Sequence, residues 1–237
     1  MKLKKINEDI YYMENVVASD RPNLGYIRGE DYSVIVDAGN SKAHLDEFLG
    51  LIEDEGLAYP KYLILSHWHW DHSFGISGFK NEVIASQLTN EKLEYLRQLK
   101  WDEESVLGRL ETGEEIPFAY QAMKLEYEDF SDIEVGRGNL IFKDFLGLDL
   151  GGKNLEIIRA AGPHEEDSSL VLVKEDRVLF AGDAHSGDYY NNAGRIDRLK
   201  MSKYLELLGS LDFDLYVPGH DKPVGKELIM EVLSRFI

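Results

Sequence analysis

The segment that most constrains this chain is "KYLILSHWHWDH", Lys61 to His72. In it, a short and almost wholly apolar run ends directly in three histidines and an aspartate, with Trp68 and Trp70 between them. A run of this kind reads as a strand buried on both faces. Such a strand needs a sheet around it and helices over that sheet, and it sets down His67, His69, Asp71 and His72 where it leaves the core. In extended backbone, residues two apart point the same way, so His67 and His69 can meet one ion. Asp71 and His72, past a bend, can face a second. The alternation turns Trp68 and Trp70 toward the underside of the loop, with Trp70 the better placed of the two to reach a pocket.

Other ends of apolar runs in the second half carry residues of the same type: His164 in "RAAGPHEEDSS", Asp183 in "VLFAGD" and His220 in "LYVPGH". Each follows a β-rich stretch and a Gly or Pro that breaks it, so all three can gather at one sheet edge. Imidazole and carboxylate suit zinc, iron and similar ions, and a carboxylate can bridge two of them. The chain has no cysteine, so thiolate ligands, a cysteine nucleophile and disulfides are all excluded.

The other elements complete an alternating pattern. "DIYYMENVV", "NLGYIRG" and "YSVIVDAGN" read as an antiparallel meander, and "SKAHLDEFLGLIEDEG" reads as a helix capped by Ser41, with Leu45, Phe48, Leu49 and Ile52 on its buried face and His44 at the surface. A helix-rich insert of about 88–130 follows "EVIAS". Strands return at "LIFKDFLGLDLGG", "NLEIIRAAG", "SSLVLVKEDRVLFAGD" and "FDLYVPGH", with helices at "SKYLELLGSL" and "KELIMEVLSRF". Two sheets covered by outer helices in one α/β domain spanning 1–237 satisfy this order.

A formal charge of −18 without a basic run disfavours nucleic acid and anionic membranes as partners. No stretch approaches the roughly 20 apolar residues of a membrane span, and no signal-type apolar run follows the N-terminal lysines. The expectation is a cytoplasmic protein acting on a small molecule.

The order HxHxDH, a histidine after a Gly-containing turn, Gly-Asp after a strand and then Pro-Gly-His, with "VDAG" ahead of the first helix, resembles the metallo-β-lactamase superfamily. That resemblance implies an αββα sandwich of two mixed β-sheets, with His67, His69 and His164 on one metal ion, Asp71, His72 and His220 on another, and Asp183 bridging them. It implies two divalent ions, zinc first with iron or manganese as alternatives, and a bridging hydroxide that attacks a small ester, thioester, lactone or related carbonyl. Asp71 would orient that hydroxide and take its proton. His185, Tyr189 and Trp70 are the candidate substrate contacts. Persulfide dioxygenases with a single iron at the positions of His67, His164 and Asp183 are the alternative in another reaction class; phosphodiesterases and β-lactamases are alternatives within hydrolysis. Asp167, Ser168 and Ser169 are near enough to His164 to support the ligand histidines or to cap a turn.

Overall fold

A computed structural model describes residues 2–237. Strands β1 (Leu3–Lys5), β2 (Ile10–Met13), β3 (Leu24–Arg28) and β4 (Ser33–Val36) form the antiparallel meander. The helix α1 (Lys42–Asp54) then leads to β5 (Tyr62–Ile64), the run ahead of the histidines, which pairs parallel to β4 with Ile35 opposite Leu63. A single turn, α2 (Trp70–Ser73), carries the second half of the histidine loop, and β6 (Glu82–Ser86) adds to the far side of β5. Parallel pairing on both sides explains the unbroken apolar run of β5: both of its faces meet protein.

The stretch read as an insert holds α3 (Gln87–Leu96), α4 (Glu103–Thr112) and α5 (Pro117–Glu126), each opened by a cap or by proline. The segment "LIFKDFLGLDLGG" holds two strands. Leu140–Phe142, β7, closes the first sheet beside β6, and Phe145–Asp149, β8, opens the second. The chain changes sheets at Lys143 and Asp144, the polar pair in an otherwise alternating stretch.

The second sheet continues through β9 (Asn154–Arg159), β10 (Ser169–Val173) and β11 (Val178–Gly182), crosses by α6 (Arg198–Ser210) to β12 (Leu215–Pro218) parallel to β11, and ends in β13 (Val224–Gly225) and α7 (Lys226–Ser234). Seven strands ordered β1 to β7 thus face six ordered β13-β12-β11-β10-β9-β8. Val34, Val36, Ile64, Ile157, Val171 and Phe180 pack between the sheets. The layer outside the first sheet joins α1 residues Leu45 and Phe48 to Leu93, Val106 and Met123 of the insert helices, so those helices belong to the core. Tyr204 and Leu208 of α6 cover the second sheet. No helix among the described residues is long and apolar enough to cross a membrane.

His44 corrects a surface assignment: it is fully buried. Its Nδ1 accepts from the Asn40 amide at 3.4 Å, beneath the loop that joins β4 to α1, and burial pushes the imidazole down to about 3. A helix with polar neighbours on both sides of a residue does not by itself say which face the loop above it covers.

Candidate metal centre

The strand ends converge on one edge of the sandwich. His67 and His69 leave β5, His164 lies in the loop from β9 to β10, Asp183 follows β11 and His220 follows β12. Two groups result, His67–His69–His164 and Asp71–His72–Asp183–His220, and within each the potential ligand atoms lie within 4.8 Å of one another. Gly219 makes the second approach possible, since a Cβ there would stand 2.1 Å from Asp183 Oδ1 and 2.8 Å from His72 Cε1. In the second group Asp71 Oδ2 sits 2.9 Å from His220 Nε2 and 3.1 Å from His72 Nε2, while the Asp183 oxygens are 3.5 and 3.6 Å from the same two nitrogens.

The surroundings settle which imidazole nitrogens carry lone pairs. His164 Nδ1 lies 2.8 Å from the Gly187 carbonyl, which only accepts, so Nδ1 holds the proton and Nε2 is bare. His69 Nε2 donates toward Glu165 at 3.3 Å, which leaves Nδ1 bare. These two bare nitrogens face each other at 2.9 Å. Two lone pairs at that distance repel unless a cation lies between them, and this is the arrangement a metal ion relieves. His67 Nε2 is buried without a hydrogen-bond partner among the described residues, as expected of an atom reserved for a ligand. The donor sets fit the group: three neutral nitrogens in one, two nitrogens and two carboxylates in the other.

Electrostatics separates the two groups. Burial, with neighbouring imidazoles adding to it, drives His67 well below its ordinary range and His164 down to about 4. In the second, burial alone would raise the carboxyls, but His72 and His220 outweigh it and hold Asp71 and Asp183 well below the ordinary range. Reciprocally, burial opposes charge on the imidazoles, yet the carboxylates raise His72 strongly and lift His220 to about 9. That group calls for positive charge, which a divalent cation also supplies.

Residues missed in the sequence hold these side chains in place. Asp37 Oδ2 accepts from His72 Nδ1 at 2.7 Å and from Ser66 Oγ at 2.8 Å, and Asp37 Oδ1 accepts from the Ser66 amide at 2.7 Å. Ser66 Oγ is also 3.0 Å from His67 Nδ1. Asn23 bonds the Pro218 and Asp221 carbonyls at 2.7 Å and pins the His220 loop. Asp20, 3.8 Å from His220 Nδ1, is pushed up to about 7 by burial and by the Asp71 charge. The "VDAG" turn was the one available signal, for Asp37. Asp167, Ser168 and Ser169, read as supports for the histidines or as a turn cap, bond none of the imidazoles: Ser169 Oγ donates to the Asp167 carbonyl at 3.2 Å, and the Asp167 carboxylate is buried near Thr89 and the Trp68 backbone.

A cleft of about 390 Å³ opens over the two groups, walled by Val17, Ile116, Phe118, Tyr189 and Tyr190, with Trp70 reaching its floor. Val17, Phe118 and Tyr189 are more than half exposed. Neither lysine nor arginine lines it. His185 is absent from this wall; its Nδ1 is 3.1 Å from the Tyr216 hydroxyl, which in turn meets Tyr204 at 2.8 Å. Trp68 is buried beneath the loop against Tyr190, their ring centroids 5.1 Å apart.

A family model described as the metallo-beta-lactamase superfamily matches residues 20–220. Among curated proteins, the acyl-coenzyme A thioesterase MBLAC2 of Homo sapiens is 22% identical over 99% of this chain and 86% of its own length. A linear primary-alkylsulfatase of Pseudomonas is 25% identical over 84% of this chain and 42% of its own. Among solved structures, a metallo-beta-lactamase from Pontibacter korlensis superposes with a TM-score of 0.70 at 17% identity, over 99% of this chain and 98% of that one.

Proposed function

The chain belongs to the metallo-beta-lactamase superfamily, and on that footing we propose that it is a metal-dependent hydrolase of small, uncharged carbonyl esters, with apolar acyl thioesters as the leading substrate class. The observation that carries this reading is that both groups meet one cleft whose walls include Val17, Ile116, Phe118, Tyr189 and Tyr190 and carry neither lysine nor arginine. The thioesterase likeness supports the thioester choice. A wall without Lys or Arg favours the acyl part of such a substrate over a phosphate-bearing part as the group held there.

His67, His69 and His164 would hold one divalent ion and Asp71, His72 and His220 a second, with Asp183 shared; zinc suits both donor sets. Bound there, such ions supply Lewis acidity toward a carbonyl oxygen and toward water. The chain's own residues do the rest. Asp71, facing the cleft with Oδ2 against two imidazoles, is placed to take a proton from the attacking water and return it to the leaving group. Trp70, Phe118 and Tyr189 seat the acyl group and exclude bulk water from the reacting carbonyl.

The test is turnover on protein of measured metal content, against thioesters of graded chain length beside lactones, β-lactams, phosphodiesters and alkyl sulfates. Thioester or lactone cleavage that rises with acyl length supports the proposal. One iron per chain with persulfide oxidation and no hydrolysis would sink it.

A further inference from the structure

His185 takes no part in the cleft wall, yet it stands at the middle of a five-residue loop that touches both clustered groups. Asp183, at the head of this loop, lies 3.6 Å from His72 Nε2 and 3.5 Å from His220 Nε2. The carbonyl of Gly187, at its foot, accepts from His164 Nδ1 at 2.8 Å. The turn ahead of His164 also rests directly on the loop, since a Cβ on Gly162 would stand 2.1 Å from the Ala184 carbonyl oxygen. Three imidazoles, drawn from both groups, therefore take their placing from residues 183–187. Within the loop the Ser186 amide donates to the Asp183 carbonyl at 2.7 Å, a turn that sets its curl and leaves its seat on the sheet to other contacts.

The His185 side chain supplies such a seat, because it reaches into the layer outside the second sheet. Its Nδ1 is 3.1 Å from the hydroxyl of Tyr216 on β12, and that hydroxyl is 2.8 Å from the hydroxyl of Tyr204 on α6. The His185 and Tyr216 rings meet edge to face at 81°, their centroids 5.7 Å apart. Both tyrosines are buried, in a layer they share with Met201, Leu208 and Phe213, so neither hydroxyl can turn to water. Counting donors and acceptors fixes the direction of this chain. If Tyr204 donates to Tyr216 and Tyr216 donates to His185 Nδ1, every hydroxyl proton has an acceptor. In the reverse direction the Tyr204 O–H would have none among the described residues, at a cost of about 1–3 kcal/mol. His185 Nδ1 is thus the acceptor on which the chain ends.

We infer that His185 is a positioning residue, whose imidazole, held by Tyr216, seats the 183–187 loop and thereby sets both metal sites at once. The inference rests on the metal-centre reading proposed above.

Two hydroxyl deletions from the same buried layer separate this role from plain core stability. Tyr216→Phe removes the donor to His185, whereas Tyr204→Phe leaves Tyr216 donating as before. Zinc affinities measured by competition with a chromophoric chelator are expected to fall by about tenfold at both sites in Tyr216→Phe and to stay within about twofold in Tyr204→Phe. Both variants are expected to melt earlier than the unaltered protein. His185→Leu should weaken both ions as Tyr216→Phe does, and His185→Asn, whose Oδ1 can take the place of Nδ1 and accept from Tyr216, should recover most of that affinity. Equal losses in Tyr216→Phe and Tyr204→Phe overturn the inference, since they trace to core stability alone. A loss confined to one ion overturns it too. Should Tyr216→Phe lose its fold by circular dichroism, the His185→Leu and His185→Asn pair decides. An unaltered protein that does not hold two divalent ions overturns the metal-centre reading and this inference with it, whereas two ions held with unchanged affinity in Tyr216→Phe overturn the inference alone.

Discussion

Asp37→Asn is the sharpest probe of how the second ligand group is set up. Asp37 has a positive φ of 66°, a conformation that asparagine tolerates better than most residues, so the change adds no backbone strain. The side-chain oxygen can still accept from the Ser66 amide, as Oδ1 does now at 2.7 Å. The new amide, however, faces His72 Nδ1 where a carboxylate oxygen stood at 2.7 Å. Two N–H groups cannot point at each other, so in the metal-loaded protein His72 would move its proton to Nε2, the nitrogen that would otherwise face the ion. The second group thereby loses a nitrogen lone pair, while the first keeps all three of its own. Loss of such a supporting contact costs 10- to 100-fold in metal affinity, or about 1.4–3 kcal/mol. The outcome expected is one tightly held zinc and one weakened by that factor, measured by competition with a chromophoric chelator, with turnover falling in step with the weaker site. Asp37→Ala would also strand the Ser66 N–H and the His72 N–H, at about 1–3 kcal/mol each, and should lower thermal stability besides. If Asp37→Asn holds two zinc ions with unchanged affinity, the tautomer assignment is wrong.

Three further outcomes are expected. Asp71→Asn should retain its fold and reduce kcat by about 10²- to 10⁴-fold, the range of a lost general base; full turnover with metal still bound would remove Asp71 from proton transfer. Asp167 is buried, neither of its oxygens has a hydrogen bond of normal geometry, and burial pushes its carboxyl up to about 7. The folded state then holds a proton that the unfolded chain has released between about pH 4 and 7, so the residue costs stability increasingly as pH rises through that window. Asp167→Asn should accordingly stabilise the protein by up to about 4 kcal/mol at pH 8 and little at pH 4, read from urea midpoints; a gain independent of pH would contradict this. Arg21 clamps the buried Glu126 carboxylate of α5 with two hydrogen bonds of 2.8 and 2.7 Å. Arg21→Met leaves that charge without its partner and should cost about 3–5 kcal/mol; a loss under about 1 kcal/mol in denaturant would show that the clamp does not hold α5 to the core.

Much of the sandwich was legible because its signals are local. The "KYLILS" run had to be a buried strand, Ser41 had to cap a helix, and the meander showed in its β-rich runs and the turn residues between them. The change of sheet at Lys143–Asp144 was not legible, because "LIFKDFLGLDLGG" alternates as one strand would and only the pairing partners differ, β6 on one side and β9 on the other. The insert helices read as an excursion since their polar faces dominate the sequence, yet their apolar residues complete the outer core layer.

The residue types able to hold a metal are a property of side-chain chemistry, and their positions at the ends of apolar runs could be read from the chain alone. Which nitrogen each histidine offers is decided by neighbours 23, 35 and 96 residues away: Gly187 for His164, Asp37 for His72 and Glu165 for His69. The parallel order β4-β5-β6 carries Asp37 to His72, and the meeting of two sheet edges carries His164 to His69. Arg109 gave no sign of its environment in a helix rich in charged residues; its burial against the Trp101 ring follows from how α4 packs beside the turn that precedes it. Sequence specified which donors this protein owns, and tertiary structure decided their protonation, their grouping and the side chains that hold them, because each of those depends on contacts between residues that are distant in the chain.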